Sequence, residues 1–466
     1  MLKPLQGLFV CPLHHALILT FAAQFFEMEI LIQASQLILS LSILVVLHEL
    51  GHFIPAKLFK TKVEKFYLFF DPWFSLFKTK KGETEYGVGW LPLGGYVKIA
   101  GMIDESMDKE QMKEPPKPWE FRSKPAWQRL IIMIGGVTVN VILGMAIYAM
   151  VLFVWGTQYI PTENLTYGIY ADSTAIQMGL RNGDKILDVD GEKVEKFSDI
   201  PLKILLEDAK TIAVERDGAR KNINIPIGTV AAMIKKQQSF MEPAYLPQVE
   251  QVMSGSAAET AGLQENDVLV RIDQTETPFF QDVVKYLKGH KGEEVLVTVE
   301  RNGSEVQLQA SVSEQGTLGF AITPPDQQIE LATQQYGLLE SIPAGINKAY
   351  DSFENYIKQI KLIFKPETEA YKSLGGFITI GKAFSPQWNW ERFWNFTAFL
   401  SIILAIMNIL PIPALDGGHV MFLIYEIITG RKPHDKVMEY AQVAGIVILL
   451  SLMLLANGND ILKLFQ

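Results

Sequence analysis

Four long runs of uncharged, mostly apolar residues constrain the fold of this 466-residue chain more than any other feature. The runs cover residues 30–47, 130–162, 393–415 and 440–459. Each run can cross a hydrocarbon core of about 30 Å as a helix, whereas an amphipathic helix of a soluble protein would carry charge on one face. The sequence therefore predicts a polytopic α-helical membrane protein. Its four transmembrane helices are expected at 30–56, 128–160, 393–425 and 438–459.

The overall composition agrees with a membrane protein and excludes several other classes. Mean hydropathy is +0.15 and only 20% of the residues are charged, which excludes a disordered chain. The net charge of −9 argues against nucleic acid as a partner, because phosphate binding needs clustered Lys and Arg. The single cysteine, Cys11, excludes an intrachain disulfide and a cysteine-built zinc site. Any bound metal would therefore depend on histidine and carboxylate.

A fifth uncharged run, residues 4–26, precedes the first predicted span. Prolines interrupt it, and no convincing signal-peptidase site ends it. It could be a signal-like segment, or an extension upstream of a start at Met28. The sequence leaves both interpretations of residues 1–29 open, and no function is assigned to this N-terminal extension.

Lysine and arginine flank the predicted spans unevenly, which predicts their orientation. The loop 57–127 is basic near both of its ends, and the loop between the third and fourth spans contains Arg431, Lys432 and Lys436. Both loops are therefore expected on the cytoplasmic side. The long segment 163–392 and both termini are then expected outside.

The segment expected outside contains an internal repeat. Residues 173–180 (STAIQMGL) recur as 256–263 (SAAETAGL), and Asp184 recurs at the same spacing as Asp267. Short alternating apolar runs after each copy indicate strands. This pattern resembles PDZ domains, more clearly in the second copy than in the first, and predicts two small α/β domains that could bind peptide termini. They are expected at 165–230 and 245–323.

The clearest chemical motif is His48-Glu-Leu-Gly-His52, an H-E-x-x-H sequence at the inner end of the first predicted span. On a helix, positions i and i+4 lie on one face, so His48 and His52 can bind one zinc ion. Zinc lowers the pKa of a bound water to about 7, and Glu49 can accept its proton as a general base. Ionisable groups within a span are costly and usually functional, which favours this interpretation over a structural histidine pair.

Zinc needs a third protein ligand, and a second motif supplies candidates at the inner end of the third span. The sequence from Asn408 to Gly418 (NILPIPALDGG) contains two prolines and two glycines that should break the helix. Asp416 lies in this break. Spans one and three share a direction, so both motifs are expected near the cytoplasmic side. We therefore expect Asp416 to complete a His-His-Asp site, with His419 as the alternative third ligand.

Together, these motifs and the tandem PDZ-like repeat resemble the site-two protease family, and within it the regulator of sigma-E protease branch. The resemblance covers nearly the whole chain. It implies a Zn²⁺ site and a catalytic base, and a residue that holds substrate backbone. These roles fall on His48, His52 and Asp416 as zinc ligands, Glu49 as the base and Asn408 at the substrate.

The same resemblance implies a reaction, its substrates and a location. The reaction is regulated intramembrane proteolysis, in which peptide bonds of single-pass membrane proteins are cleaved in the lipid bilayer. The implied substrates are anti-sigma factors already cleaved outside and remnant signal peptides. The implied location is the bacterial inner membrane, with the active site near the cytoplasmic side. The PDZ domains would lie outside and would filter or recruit substrates.

Two further segments have expected roles. Residues 85–99 of the cytoplasmic loop are apolar and glycine-rich, which predicts a membrane-associated β-hairpin. Its edge, with Gly94 and Gly95, could accept an extended substrate strand, although a plain surface hairpin is the alternative. Residues 324–392 form an external region with amphipathic stretches, and contact with the membrane surface is expected there.

Two other functions remain compatible with these residues. A non-catalytic membrane scaffold could use its PDZ domains to bind peptide termini and keep a structural metal, although a structural zinc site would need a fourth ligand. A metal-ion transporter could also place His and Asp within spans. Transporters usually show repeated halves, whereas only the soluble segment repeats here.

Overall fold

The computed structural model describes residues 12–92, 94–102, 114–236 and 239–465, and describes only the backbone of residues 12–27 and 435. Within this part, the chain forms two compact units. The first, here called the membrane unit, comprises the described parts of Met1–Gly156, Gln335–Ile357 and Leu374–Gln466. The second, the repeat unit, comprises the described parts of Thr157–Gln334 and Lys358–Ser373.

The described helices and strands are numbered in chain order. The helices are α1 (Pro12–Leu58), α2 (Ala126–Trp155), α3 (Ser173–Met178), α4 (Asp199–Glu207), α5 (Thr229–Lys236), α6 (Ala257–Ala261), α7 (Phe280–Gly289), α8 (Pro325–Gln328), α9 (Leu338–Ile363), α10 (Phe377–Ala383), α11 (Trp390–Ile409), α12 (Asp416–Thr429) and α13 (Asp435–Leu464). The strands are β1 (Val63–Leu68), β2 (Phe70–Lys81), β3 (Thr84–Leu91), β4 (Tyr96–Ile99), β5 (Thr157–Tyr159), β6 (Ile169–Ala171), β7 (Lys185–Val189), β8 (Thr211–Arg216), β9 (Ala219–Asn224), β10 (Met241–Pro243), β11 (Val249–Val252), β12 (Val268–Ile272), β13 (Thr275–Glu276), β14 (Glu294–Arg301), β15 (Ser304–Ser311), β16 (Phe320–Ile322) and β17 (Ala332–Gln334).

Among the described residues, four segments of the membrane unit are long and apolar enough to cross a membrane as helices, which confirms the predicted number of spans. They are Met28–Leu58, Ala126–Trp155, Trp390–Ile409 and Lys436–Leu464. Helix α1 begins at Pro12, so the backbone of residues 12–29 continues the helix of the first span. Residues 1–11 of the predicted N-terminal extension lie outside the described residues.

The third predicted span, 393–425, is interrupted in its middle. Helices α11 and α12 lie on either side of residues 410–415, which are not helical. Pro411 and Pro413 lack the backbone N–H that a helix interior requires, so the helix cannot continue through them. The break was expected from the prolines, and it makes Asp416 the first residue of a new helix.

The predicted hairpin over residues 85–99 is wrong in its pairing. Strands β3 and β4 both flank β1, which runs parallel to β3 and antiparallel to β4. A hairpin does form, but between β2 and β3, where Gly82 turns the chain with a φ of 65°. The sheet order is β2-β3-β1-β4, so β4 is an edge strand. The parallel pairing of β3 with β1 was not predicted, because parallel strands are not joined by a short turn that the sequence would reveal.

The repeat unit contains two subdomains with the same order of elements. In the first, β6, α3, β7, α4 and the β8–β9 hairpin precede β10, which pairs back with β6. In the second, β11, α6, β12, α7 and the β14–β15 hairpin precede β16, which pairs back with β11. Each subdomain has its own apolar core. The shared order agrees with the sequence repeat, and the assignment of both copies as PDZ domains stays a prediction.

Candidate metal centre

The inner end of α1 presents two imidazole rings on one face. His48 and His52 are one turn apart, and their Nε2 atoms lie 3.2 Å from each other. The rings meet edge to face with centroids 4.8 Å apart, and both side chains are buried. Helical spacing therefore brings two possible metal ligands to one point, as the motif predicted.

Three glycines let α2 approach this face of α1 at backbone distance. A Cβ atom on Gly51 would lie 2.5 Å from the carbonyl oxygen of Gly135. A Cβ atom on Gly136 would overlap Nε2 of His52. Small residues permit such close crossings between membrane helices. Helix α2 thus forms the wall against which both imidazoles rest.

Helix α2 also supplies the polar groups that face the Nδ1 atoms of both imidazoles. Nδ1 of His52 lies 2.8 Å from the carbonyl oxygen of Ile132, which can only accept, so Nδ1 carries the proton and Nε2 keeps its lone pair. Nδ1 of His48 lies 3.0 Å from Nδ2 of Asn140, and Oδ1 of the same amide is buried without a hydrogen-bond partner among the described residues. With this amide turned over, Oδ1 would accept the Nδ1 proton of His48 and leave Nε2 of both histidines free to bind a cation.

Asp416 joins the two histidines from the first turn of α12. Its Oδ2 atom lies 3.3 Å from Nε2 of His48 and 3.4 Å from Nε2 of His52. The ligand atoms of all three residues lie within 4.8 Å of one another. Oδ2 is buried, and no donor among the described residues gives it a hydrogen bond. Such an oxygen is costly unless a cation satisfies it, and this set of two imidazoles and one carboxylate is one that zinc accepts.

Glu49 lines a cleft that opens at this cluster. The cleft has a volume of about 680 Å³, and its lining includes His48, His52, Asp416 and several residues of β4. Val97 of β4 lines the cleft together with Glu49. The edge strand β4 and the candidate base therefore border the same cleft.

Two other predicted site residues of the third span lie near the cluster. The side-chain nitrogen of Asn408 is 3.4 Å from Nε2 of His48. His419 lines the cleft but does not belong to the three-residue cluster. The geometry therefore favours Asp416 over His419 as the third ligand.

The two predicted glycines of the cytoplasmic loop differ in position. Gly95 lines the cleft, and a Cβ atom there would lie 2.6 Å from the carbonyl oxygen of Tyr67. Gly94 does not line the cleft: its nearest neighbour is the ring of Phe70, 3.1 Å from the place of a Cβ atom. Gly95 is thus the better placed of the two for contact with a substrate.

The contribution of α2 to this centre was not foreseen from the sequence. Gly135 and Gly136 form an adjacent pair within an apolar run, and this pattern could have predicted a close helix crossing. Asn140 is a polar residue within a span, which could have predicted a functional contact. No feature of the sequence marks the carbonyl group of Ile132.

Comparison with known proteins adds independent information. The sequence profile of peptidase family M50 matches residues 36–452. A protein of Xylella fastidiosa (strain Temecula1 / ATCC 700964) that carries the name of a zinc metalloprotease is 30% identical over 455 residues, covering 91% of this chain and 98% of the relative. The regulator of sigma E protease of Haemophilus influenzae is 29% identical over 469 residues, covering 94% of this chain and 100% of the relative. The regulator of sigma-E protease RseP of Escherichia coli (strain K12) is 27% identical over 453 residues, covering 92% and 98%.

Proposed function

The chain belongs to peptidase family M50, and on that premise we propose that it cleaves single-pass membrane proteins at a zinc site within the membrane. The family and the names of the relatives make it a zinc metallopeptidase. Its four apolar helices make it an integral membrane protein. The proposal concerns the residues that act, the way substrate binds and the proteins that are cleaved.

The convergence of His48, His52 and Asp416 is the observation that supports this proposal most directly. We assign the three as zinc ligands. A catalytic zinc site uses three protein ligands and keeps a further position open, whereas a structural site is closed by four. Among the described residues, no fourth histidine, cysteine or carboxylate joins the cluster, and the cluster borders the cleft.

The protein groups around the ligands suit peptide hydrolysis. Bound zinc would supply Lewis acidity, which activates a water molecule for attack and polarises the substrate carbonyl. Glu49 accepts the proton of the attacking water and delivers it to the leaving nitrogen. Val97 of the edge strand β4 lines the same cleft as Glu49. Asn408, beside His48, holds the substrate backbone through its amide.

The edge strand β4 supports a mechanism for presenting a membrane helix to these groups. The amides of a helical substrate are buried in i→i−4 hydrogen bonds, so the helix must unwind before cleavage. An extended substrate segment can add to β4 as a new strand, and the N–H and C=O groups along one edge of the substrate then form hydrogen bonds with β4. We propose that this strand lies over Gly95, and that Gly94 gives the preceding turn its freedom with a φ of 146°.

The proposed substrates are single-pass membrane proteins with a short external part. Two of the relatives described above are named regulator of sigma-E protease, which supports anti-sigma-factor-like proteins as one class. We propose remnant signal peptides as a second class. The distribution of Lys and Arg supports an inner-membrane orientation with the zinc site toward the cytoplasm and the repeat unit outside.

The repeat unit is proposed to exclude substrates that still have a folded external domain. Each subdomain of about 75 residues has a radius of gyration near 11 Å, and the chain enters this unit directly after α2. A folded domain of similar size would be kept away from the cleft, whereas a short stub would not. If the repeat unit is a size filter, deletion of residues 165–323 should allow substrates with a folded external domain to be cleaved. If it recruits substrates through PDZ domains, the same deletion should lower cleavage.

One experiment tests the filter and the protease together. Cleavage of one substrate is measured with a full-length and a trimmed external domain, in the intact protein and in the deletion variant. The filter predicts that deletion allows the full-length substrate to be cut. Loss of cleavage of both substrates, in a deletion variant that still binds zinc, would instead support recruitment. No cleavage of any membrane protein by the zinc-loaded intact chain would favour a scaffold.

A further inference from the structure

A buried glutamine on the fourth membrane helix faces the same cleft as the candidate catalytic residues. Gln442 of α13 lines the cleft with His48 and Glu49, and only 6% of the residue is exposed. Its amide has no hydrogen-bond partner among the residues that the structure describes. The amide atoms of Gln442 are not among the fully enclosed unpartnered atoms of the described residues, so they open into the cleft, where a partner from outside the chain can reach them.

Two other polar side chains of the cleft wall, Asp71 and Lys98, are already paired. Asp71 accepts hydrogen bonds from the hydroxyl groups of Tyr96, at 2.8 Å, and Ser75, at 3.0 Å. Lys98 forms an ion pair with Glu64 at 3.8 Å. These side chains have partners within the fold, and the glutamine amide differs from them in facing the cleft unsatisfied.

A close backbone contact fixes the position of this glutamine. Gly445 is three residues after Gln442 and lies on the same face of α13. A Cβ atom on Gly445 would overlap the carbonyl oxygen of Pro413, in the loop that leads to Asp416. The turn of α13 that contacts this loop therefore also carries the side-chain amide of Gln442. Val443, the residue after Gln442, is exposed.

We infer that Gln442 binds the main chain of the unwound substrate, on the strand edge that β4 does not cover. The inference rests on the proposed function. An apolar membrane span offers few polar side chains, but its extended form exposes N–H and C=O groups along both edges. Strand β4 can satisfy one edge. The primary amide of Gln442 has both a donor and an acceptor, which match the groups of the other edge.

Two hydroxamates that bind zinc test the assignment. Acetohydroxamate contacts the metal alone, whereas a hydroxamate attached to a short apolar peptide also occupies the substrate strand. Affinities are measured with the zinc-loaded full chain in detergent. Gln442→Met keeps the length of the side chain but removes its hydrogen bonds, and Gln442→Leu is a second variant. Val443→Leu, at the neighbouring exposed position, is the matched control.

The expected result separates main-chain binding from metal binding. Loss of one or two hydrogen bonds should weaken the peptide hydroxamate about tenfold in both glutamine variants. Zinc content and the affinity for acetohydroxamate should stay within about twofold, and the control should match the wild type. An ester in place of one substrate amide should weaken binding to the wild type but not to Gln442→Met.

Two results would overturn the assignment in distinguishable ways. Unchanged affinity of the peptide hydroxamate in both glutamine variants would remove Gln442 from the substrate site and leave the proposed function intact. Failure of the zinc-loaded wild type to bind either hydroxamate would contradict the proposed function itself, and the role of Gln442 with it.

Discussion

Gly51 of α1 and Gly135 of α2 meet backbone to backbone, so closely that a Cβ atom on Gly51 would lie 2.5 Å from the carbonyl oxygen of Gly135. Gly51 lies between the two histidines of the H-E-x-x-H motif. The contact therefore sets the distance from both imidazoles to α2, which supplies the partners of their Nδ1 atoms.

The first prediction follows from this contact. Gly51→Ala should push α1 and α2 apart, because backbone atoms on the opposite helix cannot move aside as a flexible side chain can. Zinc affinity should fall at least tenfold, and peptidase activity with it. Gly458→Ala in α13 is the control, since a Cβ atom there meets nothing within 4 Å. Equal zinc affinity in the two variants would contradict the role of the crossing.

The second prediction concerns the orientation of His48. Asn140→Leu should lower zinc affinity by about 10- to 100-fold, since it removes the side-chain amide that lies against Nδ1 of His48. Asn140→Asp keeps an acceptor and should retain more affinity than the leucine variant. Thr138→Val, on an exposed part of α2, should change nothing. The measurement is competition for zinc with a chelator of known affinity.

The third prediction concerns an ion pair between α2 and the helix that begins with Asp416. Nη2 of Arg129 lies 2.5 Å from Oε1 of Glu426, and the two side chains are only 10% and 13% exposed. Arg129→Met should destabilise the protein by about 3–5 kcal/mol because it leaves a buried carboxylate unpaired. The double variant with Glu426→Leu should recover much of this loss. Stability is measured by thermal unfolding in detergent. If the double variant is as unstable as Arg129→Met alone, the unpaired carboxylate of Glu426 is not the cause of the destabilisation.

The sequence predicted the cluster of His48, His52 and Asp416 better than the residues that surround it. His48 and His52 follow from helical spacing, and Asp416 follows from the shared direction of two spans. The two histidines are only four positions apart, and the place of Asp416 depends only on the order and direction of the spans. The contact of Asn140 with His48 joins residues 92 positions apart, and no local pattern encodes it.

The sheet shows the same limit. Local turn chemistry predicts a hairpin, and the turn at Gly82 does form one between β2 and β3. The position of β4 depends instead on its pairing with β1, about 30 residues earlier, where Phe66 faces Val97. Such pairings follow from packing against α1, as the contact of Gly95 with Val45 illustrates. Sequence patterns of period two do not contain this information.

The fourth prediction concerns the repeat unit. Arg301 forms a two-pronged ion pair with Asp267, at 2.6 and 2.7 Å, and the aspartate side chain is fully buried. Arg301→Leu should destabilise the second subdomain by about 3 kcal/mol. Glu305→Gln is the control, because its pair with Arg271 is exposed and exposed pairs contribute about 0–1 kcal/mol. Limited proteolysis should detect faster cleavage of residues 245–323 only in the arginine variant.

The central claim is that Glu49 acts on a substrate at a zinc ion held by His48, His52 and Asp416. The most direct test measures zinc content and peptidase turnover together in Glu49→Gln and Asp416→Asn. Glu49→Gln should keep about one zinc per chain and lose nearly all turnover, because its amide cannot accept the proton of the attacking water. Asp416→Asn should lose both zinc affinity and turnover. Substantial turnover in zinc-loaded Glu49→Gln, or full zinc affinity in Asp416→Asn, would contradict the claim.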